Sequence, residues 1–121
     1  MVYLAANEGR IVTTKEIAEK LSVSKDHLSK VLQRLAKAGY VNSIRGPKGG
    51  FVLGKSGVEA TLLEIYELIE GPVRRTECIL GTGACRGNEC IFGDLVSKID
   101  EEVKDYLSTT KISDLVGIFN P

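Results

Sequence analysis

Three cysteines are the residues of this 121-residue chain whose type and spacing most clearly indicate chemistry. Cys78, Cys85 and Cys90 follow the pattern C-x6-C-x4-C, with glycines among the spacer residues. Glycine-rich spacers allow three sulfur atoms to converge without a fixed secondary structure. Thiolates are preferred ligands of zinc and of iron–sulfur clusters. The spacing therefore favours a metal centre held by three thiolates, with one coordination position left for another ligand.

Two other interpretations of the cysteines remain open. The thiols could sense oxidation without a metal, or they could be unligated residues of a loop. Where cellular thiols are kept reduced, closely spaced cysteines are more often metal-binding or redox residues than disulfide staples.

His27 is the only histidine in the chain. It lies on the flank of an amphipathic helix, one residue before Leu28. A histidine there is most simply a packing or DNA-facing residue, and as a second interpretation it is a metal ligand.

The stretch from Ser24 to Leu53, which includes His27, predicts the element around which the chain is organised. An amphipathic helix ends near Gly39, a short strand follows, and the basic glycine-rich turn RGPKGG leads to a second short strand. Thr13 and Ser24 are predicted N-caps of two helices separated by a tight break. A helix followed by a basic two-stranded hairpin is the pattern of a winged helix-turn-helix, in which the helix enters the DNA major groove.

The predicted recognition helix has one apolar and one polar face. The apolar residues recur at helical spacing and must face the core. The opposite face carries polar and basic side chains suited to phosphates and base edges: Asp26, Ser29, Lys30, Gln33 and Lys37. In the hairpin turn, Arg45 is the candidate for a narrow minor groove.

Charge divides the chain into two parts. Residues 1–56 hold ten Lys/Arg and four Asp/Glu, a balance of +6, and residues 57–121 hold six and twelve, a balance of −6. We interpret residues 1–56 as a winged helix-turn-helix DNA-binding domain. Residues 57–121 are predicted to form a linker helix capped by Thr61, a cysteine-containing sensor loop (73–90), and a long helix (91–108) followed by a docked C-terminal segment.

The predicted long helix carries a continuous apolar stripe and an acidic opposite face. The stripe comprises Phe92, Leu95, Val96, Ile99, Val103, Tyr106 and Leu107. A small domain has little left to cover this stripe, so the sequence predicts a partner helix, most simply in a two-fold homodimer.

Composition places the chain in the class of globular proteins, with 43% hydrophobic and 26% charged residues. No apolar run is long enough to span a membrane, and the N-terminus does not resemble a signal peptide. The sequence thus predicts a cytoplasmic protein without membrane association. An enzyme is not expected, because no nucleophile–base pair or paired carboxylates stand out.

The stretch HLSKVLQRLAKAGYVNSIRGPKGGFVLGK, the helix TLLEIYELIEG, the cysteine loop and the terminal ISDLV resemble the Rrf2 family of bacterial transcription regulators. The resemblance covers essentially the whole chain, and its wing and cysteine loop are specific. It implies a mainly α-helical winged-helix homodimer with a small β-hairpin wing, joined through the long C-terminal helix. It also implies that Cys78, Cys85 and Cys90 hold a [2Fe-2S] or [4Fe-4S] cluster.

The resemblance further implies roles for individual residues. Ser24, Asp26, His27 and Ser29 fall at the base-reading start of the recognition helix, and Arg45 falls on the wing arginine. His27 matches a histidine that can contact the cluster in some members. The full predicted DNA-binding set is Ser24, Lys25, Asp26, His27, Ser29, Lys30, Gln33, Arg45, Gly46 and Lys48.

The chain also departs from the family pattern. Family members usually begin about a dozen residues earlier, so this sequence looks as though it lacks that segment. A histidine that serves as a ligand three residues after the last cysteine in some members is replaced here by Gly93.

These observations lead to the hypothesis of a double-stranded-DNA-binding regulator controlled by an iron–sulfur cluster that responds to oxygen, nitric oxide or cluster supply. One alternative is a regulator of the same fold that senses thiol oxidation or a protein partner. Another is a small zinc or iron–sulfur interaction module without DNA affinity, from which salt-dependent binding to duplex DNA would distinguish the first two.

Overall fold

The computed structural model describes residues 1–73 and 90–119, which are mostly helical with one two-stranded antiparallel hairpin. The predicted fold class is confirmed. In chain order the elements are α1 (Val2–Ala6), α2 (Thr14–Leu21), α3 (Lys25–Lys37), β1 (Val41–Ile44), β2 (Gly50–Leu53), α4 (Lys55–Val58), α5 (Leu62–Glu70), α6 (Leu95–Thr109) and a C-terminal 3-10 helix (Ile112–Ile118).

The helix-turn-helix unit is formed by α2 and α3, and local signals fix its boundaries. The Thr13 hydroxyl accepts a hydrogen bond from the Glu16 amide at 3.1 Å, and the Ser24 hydroxyl accepts one from the His27 amide at 3.4 Å. Between the helices, Ser22 adopts a left-handed conformation with φ 54°. Both predicted N-caps are therefore confirmed. The carboxylate of Glu16 accepts hydrogen bonds from the guanidinium of Arg10.

The wing consists of β1 and β2, in which Val41 pairs with Leu53 and Ile44 pairs with Gly50. Val12 extends it, because Val12 and Phe51 exchange backbone hydrogen bonds of 3.0 and 2.8 Å. A Cβ at position 49 would collide with the carbonyl oxygen of Ile44, so the turn requires glycine there.

One apolar core joins the helix-turn-helix unit to the wing. Its buried members are Leu4, Val12, Ile17, Leu32, Leu35 and Val41. Ile65, Leu68 and Ile69 of α5 pack against this cluster while remaining partly exposed. Helix α5 thus packs against the helix-turn-helix unit, although none of its residues is buried.

The C-terminal segment returns to the start of the chain. The amide of Ile112 donates to the Ala60 carbonyl at 3.0 Å, and the amide of Leu62 donates to Thr110 at 2.9 Å. The rings of Tyr3 and Phe119 make an edge-to-face contact with centroids 5.3 Å apart. The C-terminal segment thus contacts the residues before α5 and the start of the chain. The predicted division of the chain into domains stays a prediction.

The long C-terminal helix begins at Leu95, later than the predicted position 91. Residues 91–94 form a turn in which the Gly93 amide donates to the Cys90 carbonyl at 2.8 Å. Gly93 has φ 60°, which interrupts a right-handed helix, so Asp94 becomes the N-terminal boundary residue. Among the described helices, none is both long enough and apolar enough to span a membrane.

Candidate DNA-binding surface and cysteine segment

Helix α3 presents its predicted DNA-binding residues on the outer side of the fold. Leu32 and Leu35 are buried, which fixes the opposite side of the helix outward. On the outer side and at the N-cap, Ser24, Lys25, Asp26, His27, Lys30 and Gln33 are exposed, and Ser29 is half-buried. The side chains are accessible, and their contact with DNA stays a prediction.

The tip of the wing is the second accessible basic element. Arg45, Gly46 and Lys48 are all exposed and lie in the turn between β1 and β2. Gly46 has φ 111°, a conformation that L-residues with a side chain rarely adopt. The turn thus carries Arg45 and Lys48 on a backbone whose course is set by its glycines.

The predicted DNA-binding cations differ from Arg10 and Lys111 in their ion pairing. Arg10 and Lys111 are paired with Glu16 and Glu59, at 2.9 and 2.8 Å. The hydrogen bonds to Glu16 raise the pKa of Arg10 above its ordinary value. Within the described residues, the predicted DNA-binding cations are in no intramolecular salt bridge: Lys25, Lys30, Arg45 and Lys48.

The cysteine segment lies between α5 and α6. Cys90 is exposed in the turn that precedes α6, and Cys78 and Cys85 lie outside the described residues. In residues 1–73 and 90–119 no three His, Cys, Asp or Glu side chains are grouped so as to hold a metal ion. The predicted three-cysteine site and the role of His27 as a ligand therefore stay predictions.

The chemistry of the donor set fits an iron–sulfur cluster. An exposed thiol at position 90 is reachable from solvent, and two further thiols precede it by five and twelve residues. Clusters of this kind are held by cysteine thiolates. Cys78, Cys85 and Cys90 are the residues that would hold one.

Two features of the surface were not predicted from the sequence. Arg34 donates a hydrogen bond to the Ile69 carbonyl at 3.1 Å, which links α3 to α5. The short helix α4 follows the wing and is joined to the end of α3 by a 2.8 Å hydrogen bond from Ser56 to Gly39. An arginine in the last turn of a helix was the available signal for the first contact, although its partner lies 35 residues away in the chain.

The fold and the exposed α3 and wing define the class of winged-helix proteins. The chain belongs to the Rrf2 family, whose model, described as an iron-dependent transcriptional regulator, matches residues 1–118. The predicted family resemblance is confirmed, and the protein is a regulator of transcription. The regulators to which it is related are not enzymes, in agreement with the prediction.

Transcriptional regulators from several bacteria are similar in sequence to this chain. The chain is 33% identical over 121 residues to an HTH-type transcriptional regulator of Aquifex aeolicus, covering 98% of this chain and 84% of that protein. It is 31% identical over 116 residues to the regulator IscR of Photorhabdus laumondii, covering 96% of this chain and 70% of that protein.

Solved structures show the same architecture. CymR, the global cysteine regulator of B. subtilis, superposes with a TM-score of 0.75 at 30% identity, covering 97% of this chain and 87% of CymR. IscR of T. potens superposes with a TM-score of 0.68 at 23% identity, covering 98% and 78%, which shows the shared fold alone.

Proposed function

We propose that this regulator binds operator DNA through α3 and the wing, and that an iron–sulfur cluster held by Cys78, Cys85 and Cys90 controls this binding. The observation that carries the DNA-binding part is an exposed basic helix and wing whose cations are in no described salt bridge. The cluster part is supported by the three thiols and by a family described as iron-dependent.

In this proposal α3 and the wing contact different grooves of the DNA. Lys25 and Lys30 on α3 approach phosphates, while Gln33 and Asp26 reach base edges in the major groove. Arg45 at the wing tip enters the minor groove, where the potential is most negative in narrow A·T tracts. The phosphate contacts provide affinity, and the base contacts provide sequence preference.

The location of the cysteines explains how they could act on DNA binding. In the sequence, Cys78 and Cys85 come after α5, which packs against the core that holds α3, and Cys90 comes before α6. When bound, a cluster would supply a centre that reacts with oxygen or nitric oxide. The three cysteines would fix the distance between the ends of α5 and α6, and their release would relax it.

A homodimer is part of the proposal because α6 presents an apolar face outward. Leu95, Ile99, Val103 and Tyr106 lie at helical spacing and are about half exposed, whereas Val96 is buried. Exposed contiguous apolar side chains mark protein interaction surfaces. A second copy of α6 would cover this face and set the spacing of two α3 helices on a two-fold operator.

The likeness to CymR favours a second candidate function. In that case the same DNA-binding fold would operate without a cluster, and the cysteines would sense thiol oxidation or the regulator would respond to a protein partner. Both candidates share the DNA-binding surface and differ in what the cysteines hold.

Anaerobic reconstitution with ferrous iron and sulfide separates the two candidates. We expect visible charge-transfer absorbance, with iron and acid-labile sulfide in matching amounts, and loss of both in a Cys78→Ser, Cys85→Ser, Cys90→Ser variant. A wild-type protein that stays colourless after reconstitution, yet changes DNA affinity when its thiols are oxidised, would support the cluster-free candidate.

A further inference from the structure

Arg34 joins the predicted recognition helix to the helix that leads into the cysteine segment. Its Nη1 atom donates a hydrogen bond of 3.1 Å to the carbonyl oxygen of Ile69. Ile69 lies in the last turn of α5, which ends at Glu70. The last carbonyls of a helix lack partners within that helix, and a positive charge there is favourable. Arg34 thus supplies a C-terminal cap for α5 from another helix.

The two ends of this contact have different surroundings. On α3, Arg34 directly follows Gln33 and lies four residues after Lys30, both on the outer polar face. On α5, Ile69 lies two residues before Gly71, whose φ of 89° turns the chain. The residues that follow Gly71 in the sequence lead to Cys78. The Arg34 side chain therefore connects the C-terminal end of α5, which precedes the cysteines in the sequence, with the helix that carries the predicted DNA-binding face.

The other end of α5 is held separately. The Leu62 amide donates to Thr110 at 2.9 Å, and Thr61 pairs with Lys111 through a β-bridge. Helix α6, which begins five residues after Cys90, also packs against α5. A change at the cysteines would therefore reach α5 through α6 and through its own C-terminal end. That is the end to which Arg34 is bonded.

The apolar contacts between α3 and α5 do not make the arginine redundant. Leu68 and Ile69 pack against the cluster that contains Leu32 and Leu35. Hydrophobic contact is non-directional and tolerates small sliding motions. A hydrogen bond with a charged donor has a preferred distance and angle, so it restrains relative motion of the two helices more specifically than apolar contact does.

We propose that Arg34 is a positioning residue that couples the state of the cysteine segment to the orientation of α3 on DNA. This inference rests on the proposed function, in which the cysteines control operator binding. Arg34 acts through Ile69 and α5, and it is not among the residues predicted to contact the operator.

The test compares Arg34→Gln with Lys37→Gln, a change of the same charge in the same turn of α3. The operator is a duplex selected from a random-sequence pool, and its Kd is measured for protein reconstituted with ferrous iron and sulfide and for the same protein stripped with EDTA. A wild-type ratio of about 10 between the two states is an ordinary size for coupled sites. We expect Lys37→Gln to weaken both states and keep this ratio, and Arg34→Gln to bring the ratio below about 3.

The outcomes distinguish failure of the Arg34 coupling from failure of cysteine control of operator binding. An unchanged ratio in Arg34→Gln, or an equal loss of affinity in both states, would overturn the inference and leave cysteine control in place. A wild-type ratio of 1 would overturn the proposed control itself, and the inference with it. If Arg34→Gln does not fold, Arg34→Lys retains the charge without the guanidinium geometry. Its ratio is then expected to fall between the wild-type value and that of a protein without coupling, and a wild-type ratio in that variant would equally overturn the inference.

Discussion

At the scale of single residues, the partners of each cation determine which side chains can meet a phosphate. Arg10 is bonded to both carboxylate oxygens of Glu16, at 2.9 and 3.1 Å, so its charge is compensated within the protein. Arg45 is exposed at the wing tip and is in no described salt bridge. In the proposed function it would approach DNA without first breaking an ion pair among residues 1–73 and 90–119.

We predict that Arg45→Ala weakens operator binding by about 1–3 kcal/mol and relaxes sequence preference at the base pairs beneath the wing. The reason is the loss of a cation from the narrow minor groove, where the potential is strongest. Fluorescence anisotropy with operators of different sequence, over a range of salt concentrations, would measure both effects. The slope of log affinity against log salt concentration should decrease in magnitude by about the value expected for one phosphate contact.

Lys104→Ala is the matched control for the loss of charge, because Lys104 is exposed on α6, far in sequence from the wing. It should leave operator affinity nearly unchanged. A wild-type footprint and affinity in Arg45→Ala would show that the wing does not read the minor groove.

At the scale of elements, close backbone contacts place α4 against the wing. A Cβ at Gly57 would collide with the carbonyl oxygen of Tyr40 and lie 2.8 Å from the Leu53 Cδ1 atom. Gly57 is buried, and Tyr40 directly precedes β1. The absence of a side chain at position 57 is therefore what lets α4 approach the base of the hairpin.

Gly57→Ala should destabilise the fold by about 1–3 kcal/mol, because the added methyl group overpacks a site bounded by backbone. At this chain length the loss corresponds to a Tm lower by several degrees, which calorimetry or circular dichroism would measure.

Gly117→Ala is the control for that substitution, since a Cβ there would meet nothing within 4 Å. The Tm of Gly117→Ala should stay within about one degree of the wild-type Tm. Equal melting temperatures for the two variants would show that α4 is not held by this close approach.

The contrast between local and distant contacts explains which parts of the fold were predictable. The caps at Thr13, Ser24 and Thr61 depend on residues three positions away, and all three are present. The start of α6 was placed too early because the apolar spacing continues through Phe92, while the left-handed conformation of Gly93 interrupts the helix.

Contacts between distant segments could not be predicted from spacing. The pairing of Val12 with Phe51 and the bond from Arg34 to Ile69 join residues 39 and 35 positions apart, and no local pattern specifies either partner. For the candidate site, the polar face of α3 and the wing turn were predictable, because burial of Leu32 and Leu35 determines which residues remain outside.

At the scale of the whole molecule, α6 has an outward apolar face that the described residues of one chain leave exposed. Ile99 is 47% exposed and Tyr106 is 57% exposed, although both belong to an apolar stripe. An operator with two half-sites would be matched by a protein with a two-fold axis through this face.

Ile99→Glu should shift the protein from dimer to monomer, because it buries a charge at the centre of the proposed interface. Sedimentation velocity at several concentrations would measure the change, and operator affinity should fall with it. Glu101→Gln, a change at an exposed acidic position of the same helix, should remain dimeric. A wild-type sedimentation coefficient for Ile99→Glu would place the interface elsewhere.

In the proposed function, the state of three cysteines sets operator affinity. The most direct test is the operator Kd of the protein reconstituted anaerobically with ferrous iron and sulfide, compared with the EDTA-stripped protein, for the wild type and for the Cys78→Ser, Cys85→Ser, Cys90→Ser variant. We predict that the wild-type affinity changes about 5- to 150-fold between the two states and that the variant has one affinity in both. A reconstituted wild type with bound iron and unchanged affinity would show that the cysteines do not control operator binding.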